Sequence, residues 1–283
     1  MIIKKNVPIK HLCSFAHDGI LDQLYIAENI QDLQFIIQNK KPYFILGKGS
    51  NTLINPQHRF AAVVQLSPTF YQPDFQDNLH WLGANMSIHQ ALRYLKEEEV
   101  SGLEFSAGIP ASIGGMIYMN FSCWNHAISD HIQFVDCLDA KGNRLLLNKK
   151  NSRFGYRYSH FQDHPYIILR AGFKFQKSTQ QKIENQIQHY LSQRKATHPI
   201  HKKTFGSIFK NPIGKSSGKL LDELKLKDQL ILTNVKLSQQ HANFLINNGN
   251  ASFDCVKSSL EKIEKAVLKI TGLKLEREVI LLN

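Results

Sequence analysis

Ser207 is the first residue in this chain whose surroundings suggest chemistry. It lies in Phe205-Gly206-Ser207-Ile208-Phe209-Lys210-Asn211-Pro212, a hydroxyl set after a glycine and before an apolar pair. A serine there adds little packing; what it can add is a proton or a hydrogen bond. Gly206 lets a ligand approach the backbone, and Lys210 and Asn211 place a cation and an amide nearby. An apolar strand closed by an Asn-Pro turn has the same composition, so the segment must be weighed with its companions.

The first companion is Leu46-Gly47-Lys48-Gly49-Ser50-Asn51-Thr52-Leu53-Ile54, which follows the apolar run Tyr43-Phe44-Ile45. A strand running into Gly-Lys-Gly-Ser-Asn presents several amides in a tight turn, a nest suited to a diphosphate. Gly47 and Gly49 can take positive φ, and Ser50 and Asn51 add side-chain hydrogen bonds. The spacing is neither a Walker loop nor GxGxxG, so the turn alone is weak support. The second companion runs from Ser106 to Asn120, with Gly108, Gly114 and Gly115 around Pro110, Ala111 and Ser112. Small residues at this density let backbone pack against a flat or extended ligand, although a tight turn before a buried helix would use them equally.

Composition limits the classes. A chain of 283 residues is too long for one small core and suits two or three compact units. Apolar residues, 42% of the total, are spread evenly, with no span long enough to cross a bilayer, so no membrane insertion is expected. The start, Met1-Ile2-Ile3-Lys4-Lys5, lacks the apolar stretch of a secretory signal. Cys13, Cys123, Cys137 and Cys255 are far apart and read as free thiols of a reducing, cytoplasmic compartment. The 13 histidines and these cysteines show no ligand spacing, so no metal site is expected. The formal charge of +12 invites a nucleic-acid reading, but the lysines are scattered. The most basic cluster, His198 to Lys203, directly precedes the Ser207 segment and suits an anionic small molecule at least as well.

The elements that must position these residues follow from periodicity. Asn29 is placed to cap a helix carrying Leu33, Ile36 and Ile37 and ending near Lys40, after which strand 43–46 delivers the glycine turn. A helix over Ile88 to Glu99 has Ile88, Ala91, Leu92 and Leu95 on one face. Strands are expected at 131–138 and 144–147, joined by the turn Asp139 to Asn143, and again from Tyr166 to Phe175. A polar helix from about Thr179 to Arg194 looks like a bridge to a last unit. That unit contains a helix from Phe253 to Ile270, with Val256, Leu260, Ile263, Val267 and Ile270 as its stripe, Ser252 as cap and Gly272 as stop. These stripes form cores and imply no cofactor.

Taken in order, LGKGSN (46–51), GLEFSAGIPASIGG (102–115), FGYRYS (154–159), GSIFKNP (206–212), LSQQHANFLIN (237–247) and LEREV (275–279) resemble the family of UDP-N-acetylenolpyruvoylglucosamine reductases (MurB). The likeness covers almost the whole chain, and its short length is similar to the branch lacking an extra tyrosine loop. It implies an α+β fold, with a two-part FAD-binding module of the vanillyl-alcohol-oxidase (PCMH) type and an α/β substrate-binding domain. The parts would be residues 1–66, 67–176 and 177–283. It implies an FAD-dependent, NADPH-consuming oxidoreductase of peptidoglycan precursor synthesis. NADPH gives a hydride to the flavin, which passes it to the enolpyruvyl double bond of the UDP-sugar, yielding UDP-N-acetylmuramate. The expected partners are these small molecules, with no nucleic acid, and the expected state is a monomer.

The same resemblance assigns residues. Gly47, Lys48, Gly49, Ser50 and Asn51, with Gly108, Ile109, Pro110, Ser112, Gly114 and Gly115, would meet the FAD diphosphate and ribityl chain. Arg157 would face the developing dianionic carboxylate, which its planar fork suits. Ser207 would be the proton donor and Glu278 the carboxyl residue, with Glu276 as rival because on a strand it would share the same face. Tyr156, Lys210 and Asn211 would contact substrate, while His241 and Asn243 read as structural. Some positions depart from the family. Cys13 to Gly19 replaces a Thr-x-x-x-Gly-Gly element, and Phe121-Ser122-Cys123-Trp124 stands where small Ala-Gly-Ala residues follow the asparagine. Lys203-Thr204 replaces Pro-Ser, and no arginine and glycine follow Glu278-Val279. Two other readings are another FAD oxidase or dehydrogenase of the same fold, and a basic non-enzymatic nucleic-acid-binding protein.

Overall fold

Most α-helices of this α+β chain start at residues whose side chains cap them. The computed structural model describes residues 1–283. Asn29 accepts from the Asp32 amide at 2.9 Å and opens the helix Ile30–Asn39, which buries Leu33, Ile36 and Ile37. Ser87 and Gln90 form a capping box for the helix Ile88–Glu97. That helix stops short of the expected Glu99 because Glu99 takes φ +54°, outside helical space. Ser252 caps Phe253–Thr271, and Gly272 at φ +70° returns its amide to the Leu268 carbonyl. Ile270, expected on the buried stripe, is 55% exposed: the last turn has run past the core. No helix is long and apolar enough to cross a membrane.

Contacts divide the chain into two compact units. The first comprises Met1–Lys4, Gln23–Lys48 and Phe60–Arg194, the second Lys5–Asp22, Gly49–Arg59 and Lys195–Asn283. A four-stranded sheet has the order Ile2–Pro8, Ile20–Ala27, Ala62–Leu66, Tyr43–Ile45, the last three parallel. In the first unit a five-stranded antiparallel sheet runs Arg144–Asn148, Ile132–Leu138, Ile167–Phe173, Leu79–Gly83, Asp74–Gln76. The turn at Asp139 forms as expected, its carboxylate accepting from the amides of Lys141 and Asn143. Over this sheet the helices Ile88–Glu97 and Ile113–Tyr118 close a core that includes Leu82, Ile113, Ile117, Val135 and Phe173. Gln180–Thr197, read as a polar bridge, sinks Arg194 into this unit, where it is 4% exposed.

The second unit packs Phe253–Thr271 against the hairpin Val235–Leu237/Leu245–Asn247. A short parallel pair, Thr52–Ile54 with Ile280–Leu282, completes it. Phe15 and Phe205 stack in its core at 4.5 Å. The four cysteines are free thiols, and burial pushes those of Cys13 and Cys137 up to about 12.

Candidate functional site

In the first unit Arg157 sits at a turn rather than on a regular element. Gly155 and Tyr158 exchange both backbone hydrogen bonds, at 2.9 and 3.2 Å, leaving Tyr156 and Arg157 at the tip. Arg157 takes φ +52°, left-handed space that costs an arginine on the order of 1–2 kcal/mol. Neighbouring groups hold it there. Gln162 donates to the Arg157 carbonyl at 3.1 Å, and Asn120 donates to the Gly155 carbonyl at 2.7 Å. The guanidinium Nη1 donates to the carbonyl of Ser122 at 2.8 Å and to its Oγ at 2.9 Å. It also lies over the rings of Phe121 and Tyr156, at 5.5 and 5.4 Å. Tyr156 is itself 51% exposed.

In the second unit the Ser207 segment is no continuous strand, contrary to the pattern of its sequence. Ser207 bridges Phe244 and Phe209 bridges Arg277, one residue each. Their register is set by Asn243, 2% exposed, whose amide accepts from Phe209 N at 3.1 Å and donates to Phe209 O at 2.8 Å. The Asn243 carbonyl also takes the Ile208 amide at 2.9 Å. Glu278 N donates to Ile208 O at 2.9 Å, so the Ser207 and Glu278 segments lie side by side. Gly206, at φ +81°, has nothing within 4 Å of where a Cβ would be.

The two glutamates separate here. Glu276, 72% exposed at its side chain, forms an ion pair with Lys210 Nζ, whose amide also bonds the Glu276 carbonyl at 2.8 Å. Glu278 is half-buried, and its carbonyl accepts from Asn51 Nδ2 at 2.9 Å. Asn51 thus ties the glycine turn to the segment carrying Glu278. Asn211 Oδ1 accepts from Ser217 N at 2.9 Å, fixing the end of the Ser207 segment to the helix Ser217–Glu223.

The glycine segments fit an anionic, extended cofactor in part. None of the amides from Gly47 to Asn51 donates to a protein acceptor, which leaves the nest open to a diphosphate. The Lys48 ammonium bonds Asn85 Oδ1 at 3.1 Å, and partial desolvation lowers its pKa, a penalty that an adjacent anion would relieve. Asn120 Oδ1 is buried with no partner and offers an acceptor. Other residues have roles within the protein. Ser112 caps the helix Ile113–Tyr118 through the Gly115 amide, and Gly114 gives its amide to Ala84 O. A Cβ on Gly114 would stand 3.0 Å from that of Ala84, so this glycine allows a close approach of the two segments. Gly108 and Pro110 are exposed and Ile109 is half-buried.

Arg194 carries a role that its sequence context does not announce. It donates to Ala107 O at 2.8 Å and Phe105 O at 3.0 Å, holding the start of the second glycine segment. Its guanidinium also lies 4.5 Å over Trp124, which stacks on Tyr190.

Comparison with known proteins places these features. Residues 22–148 match the FAD binding domain family, and residues 198–282 match the C-terminal domain of UDP-N-acetylenolpyruvoylglucosamine reductase. The reductase of Rickettsia prowazekii is 33% identical over 279 residues, covering 98% of this chain and 94% of that protein. That of Caldanaerobacter subterraneus subsp. tengcongensis is 32% identical over 278 residues, covering 97% and 91%. The crystal structure of the Thermus caldophilus enzyme superposes with a TM-score of 0.86 at 27% identity, covering all of both chains.

Proposed function

The chain belongs to the UDP-N-acetylenolpyruvoylglucosamine reductases, and from that premise we propose how its own residues carry the reaction. It is an FAD-dependent oxidoreductase that uses NADPH to reduce the enolpyruvyl group of UDP-N-acetylglucosamine enolpyruvate, giving UDP-N-acetylmuramate for peptidoglycan synthesis. The match to the reductase C-terminal domain, over the residues that include Ser207 and Glu278, carries this reading. It also leaves a different flavin oxidase and a nucleic-acid-binding protein without support.

FAD, when bound, relays hydride equivalents from NADPH to the substrate double bond. The Gly47–Asn51 nest with Lys48 would hold its diphosphate, and Asn120 Oδ1 offers it an acceptor. Reduction of a double bond conjugated with a carboxylate drives negative charge into that carboxylate. Arg157 binds it there, its fork matching the two oxygens. The neighbouring carbon then needs a proton, which the Ser207 Oγ delivers. Glu278 acts beside it as a protonated or hydrogen-bonded carboxyl, since a bare carboxylate would repel the enolate. Removal of Arg157 or Ser207 costs about 2–4 kcal/mol of transition-state stabilisation, by comparison with oxyanion donors. Lys210, held by Glu276, and Asn211 contact the sugar nucleotide, as does Tyr156. Residues 1–66 and 67–176 serve the flavin and 177–283 the substrate. The enzyme works in the cytoplasm as a monomer without nucleic acid.

The test is the visible spectrum of the purified protein under anaerobic conditions. Flavin bands should bleach on addition of NADPH and return with the enolpyruvyl sugar nucleotide. Bands that bleach but do not return would assign the chain another acceptor.

A further inference from the structure

We infer that Ser122, seated with Phe121 on a stapled hairpin, is a positioning residue for Arg157 that fixes its guanidinium for the substrate carboxylate. This rests on the role proposed for Arg157 above. An arginine at a turn tip samples several rotamers, and ordering it costs entropy at each binding event. Ser122 removes much of that freedom in advance. Both of its oxygens accept from one nitrogen, Nη1, at 2.8 and 2.9 Å, which fixes the guanidinium plane as well as its place. The Phe121 ring beneath the guanidinium restricts it from a second direction.

The seat is itself rigid. Ser122–Cys123 pairs antiparallel with His126–Ala127, and the two linking residues, Trp124 and Asn125, both take positive φ, at +49° and +63°. Trp124 stacks on Tyr190, 5.0 Å from its ring, and packs against the Arg194 guanidinium at 4.5 Å. Cys123 Sγ donates to Phe105 O at 3.3 Å. The four residues that replace the family's small ones therefore act together: Trp124 and Cys123 anchor the hairpin, Phe121 and Ser122 face Arg157. A glycine or alanine at 122 would offer the carbonyl alone.

The experiment compares Ser122→Ala, Ser122→Thr, Arg157→Lys and Ser122→Ala/Arg157→Lys as FAD-loaded proteins. Binding of UDP-N-acetylmuramate to the oxidised enzyme is measured by titration calorimetry, and the two half-reactions by anaerobic stopped flow. Ser122→Ala should weaken binding and slow the half-reaction with the enolpyruvyl sugar nucleotide three- to tenfold. Flavin reduction by NADPH should stay within twofold of the parent. Threonine should restore the parent behaviour, and in the Arg157→Lys background the alanine should add nothing. Parent-like behaviour of Ser122→Ala beside an impaired Arg157→Lys would overturn the inference alone. So would an equal loss in both half-reactions, or an undiminished alanine effect in the double variant. An Arg157→Lys protein that binds and turns over like the parent would overturn the assignment of Arg157 and this inference with it.

Discussion

At the residue scale the cost of placing Arg157 is visible in its backbone. The tip of the Gly155–Tyr158 turn has negative φ at Tyr156 and +52° at Arg157, a pattern that favours glycine at the second position. An arginine kept there against its conformational preference is a residue whose side chain is needed. Replacement by glycine should relieve the strain, while alanine should lose the Ser122 bonds and keep the strain. In urea denaturation Arg157→Gly is therefore expected to be more stable than Arg157→Ala by about 1 kcal/mol, with both variants losing activity. Equal midpoints for the two would mean that the turn carries no strain. On the sequence Glu278 is the carboxyl residue and Glu276 its rival; in the fold Glu276 forms an ion pair with Lys210.

At the scale of elements, two glycines of one motif have different reasons to be there. A Cβ on Gly49, at φ +61°, would stand 2.0 Å from the Leu12 carbonyl oxygen, and backbone cannot give way by that much. A Cβ on Gly47 would meet only Ser112 Oγ, at 2.8 Å, a hydroxyl that can rotate at the expense of its helix cap. Gly49→Ala should thus lower the melting temperature far more than Gly47→Ala, whose cost is about 1 kcal/mol. Similar losses would show that the turn is not pinned against Leu12. The same contrast explains what could be read in advance. Helix caps at Asn29 and Ser252, the stop at Gly272 and the Asp139 turn depend on residues a few positions apart, and the sequence displays them. The single bridges of Ser207 and Phe209 depend on Phe244 and Arg277, far along the chain, so an apolar run reads as a strand it does not form. Arg194 in a polar helix, Ser122 in a segment notable only for its departure from the family, and the clamp from Asn243 have the same obstacle. Their importance lies in carbonyls and side chains that only folding brings near. The sequence names candidate residues of the site; what holds them in place is tertiary.

At the scale of the whole molecule, the basic balance and the buried histidines act in the same direction. The chain carries 35 lysines and arginines against 23 acidic residues, so each histidine that gains a proton adds to an existing excess of positive charge. Five histidines (His17, His80, His131, His160 and His241) are held below their ordinary pKa, in each case chiefly by burial. His17 is fully buried beside the Ile54 carbonyl, with Asp18 opposing the shift only in part. His131 has a hydrogen bond to the Lys174 backbone, Asp130 and Glu104 opposing and His126 assisting, and His241 has Asp222 opposing. Because the folded pKa is the lower one, the unfolded chain binds more protons as pH falls below about 6.5, and stability must fall with it. Well above that value all five are neutral in both states and their contribution to the slope vanishes. Each proton taken up on unfolding is worth at most about 1.4 kcal/mol per pH unit. Urea midpoints should therefore decline from pH 6.5 to 5.5, before aspartates and glutamates begin to titrate. Near pH 8 the histidines add no slope, whereas the Met1 amine, raised by its pairs with Glu28 and Asp32, loses its contribution as pH rises. His17→Leu should make the decline shallower, since one linked proton is gone. A midpoint that holds to pH 5.5, or a decline that His17→Leu leaves untouched, would mean that His17 can be protonated in the folded chain at no cost.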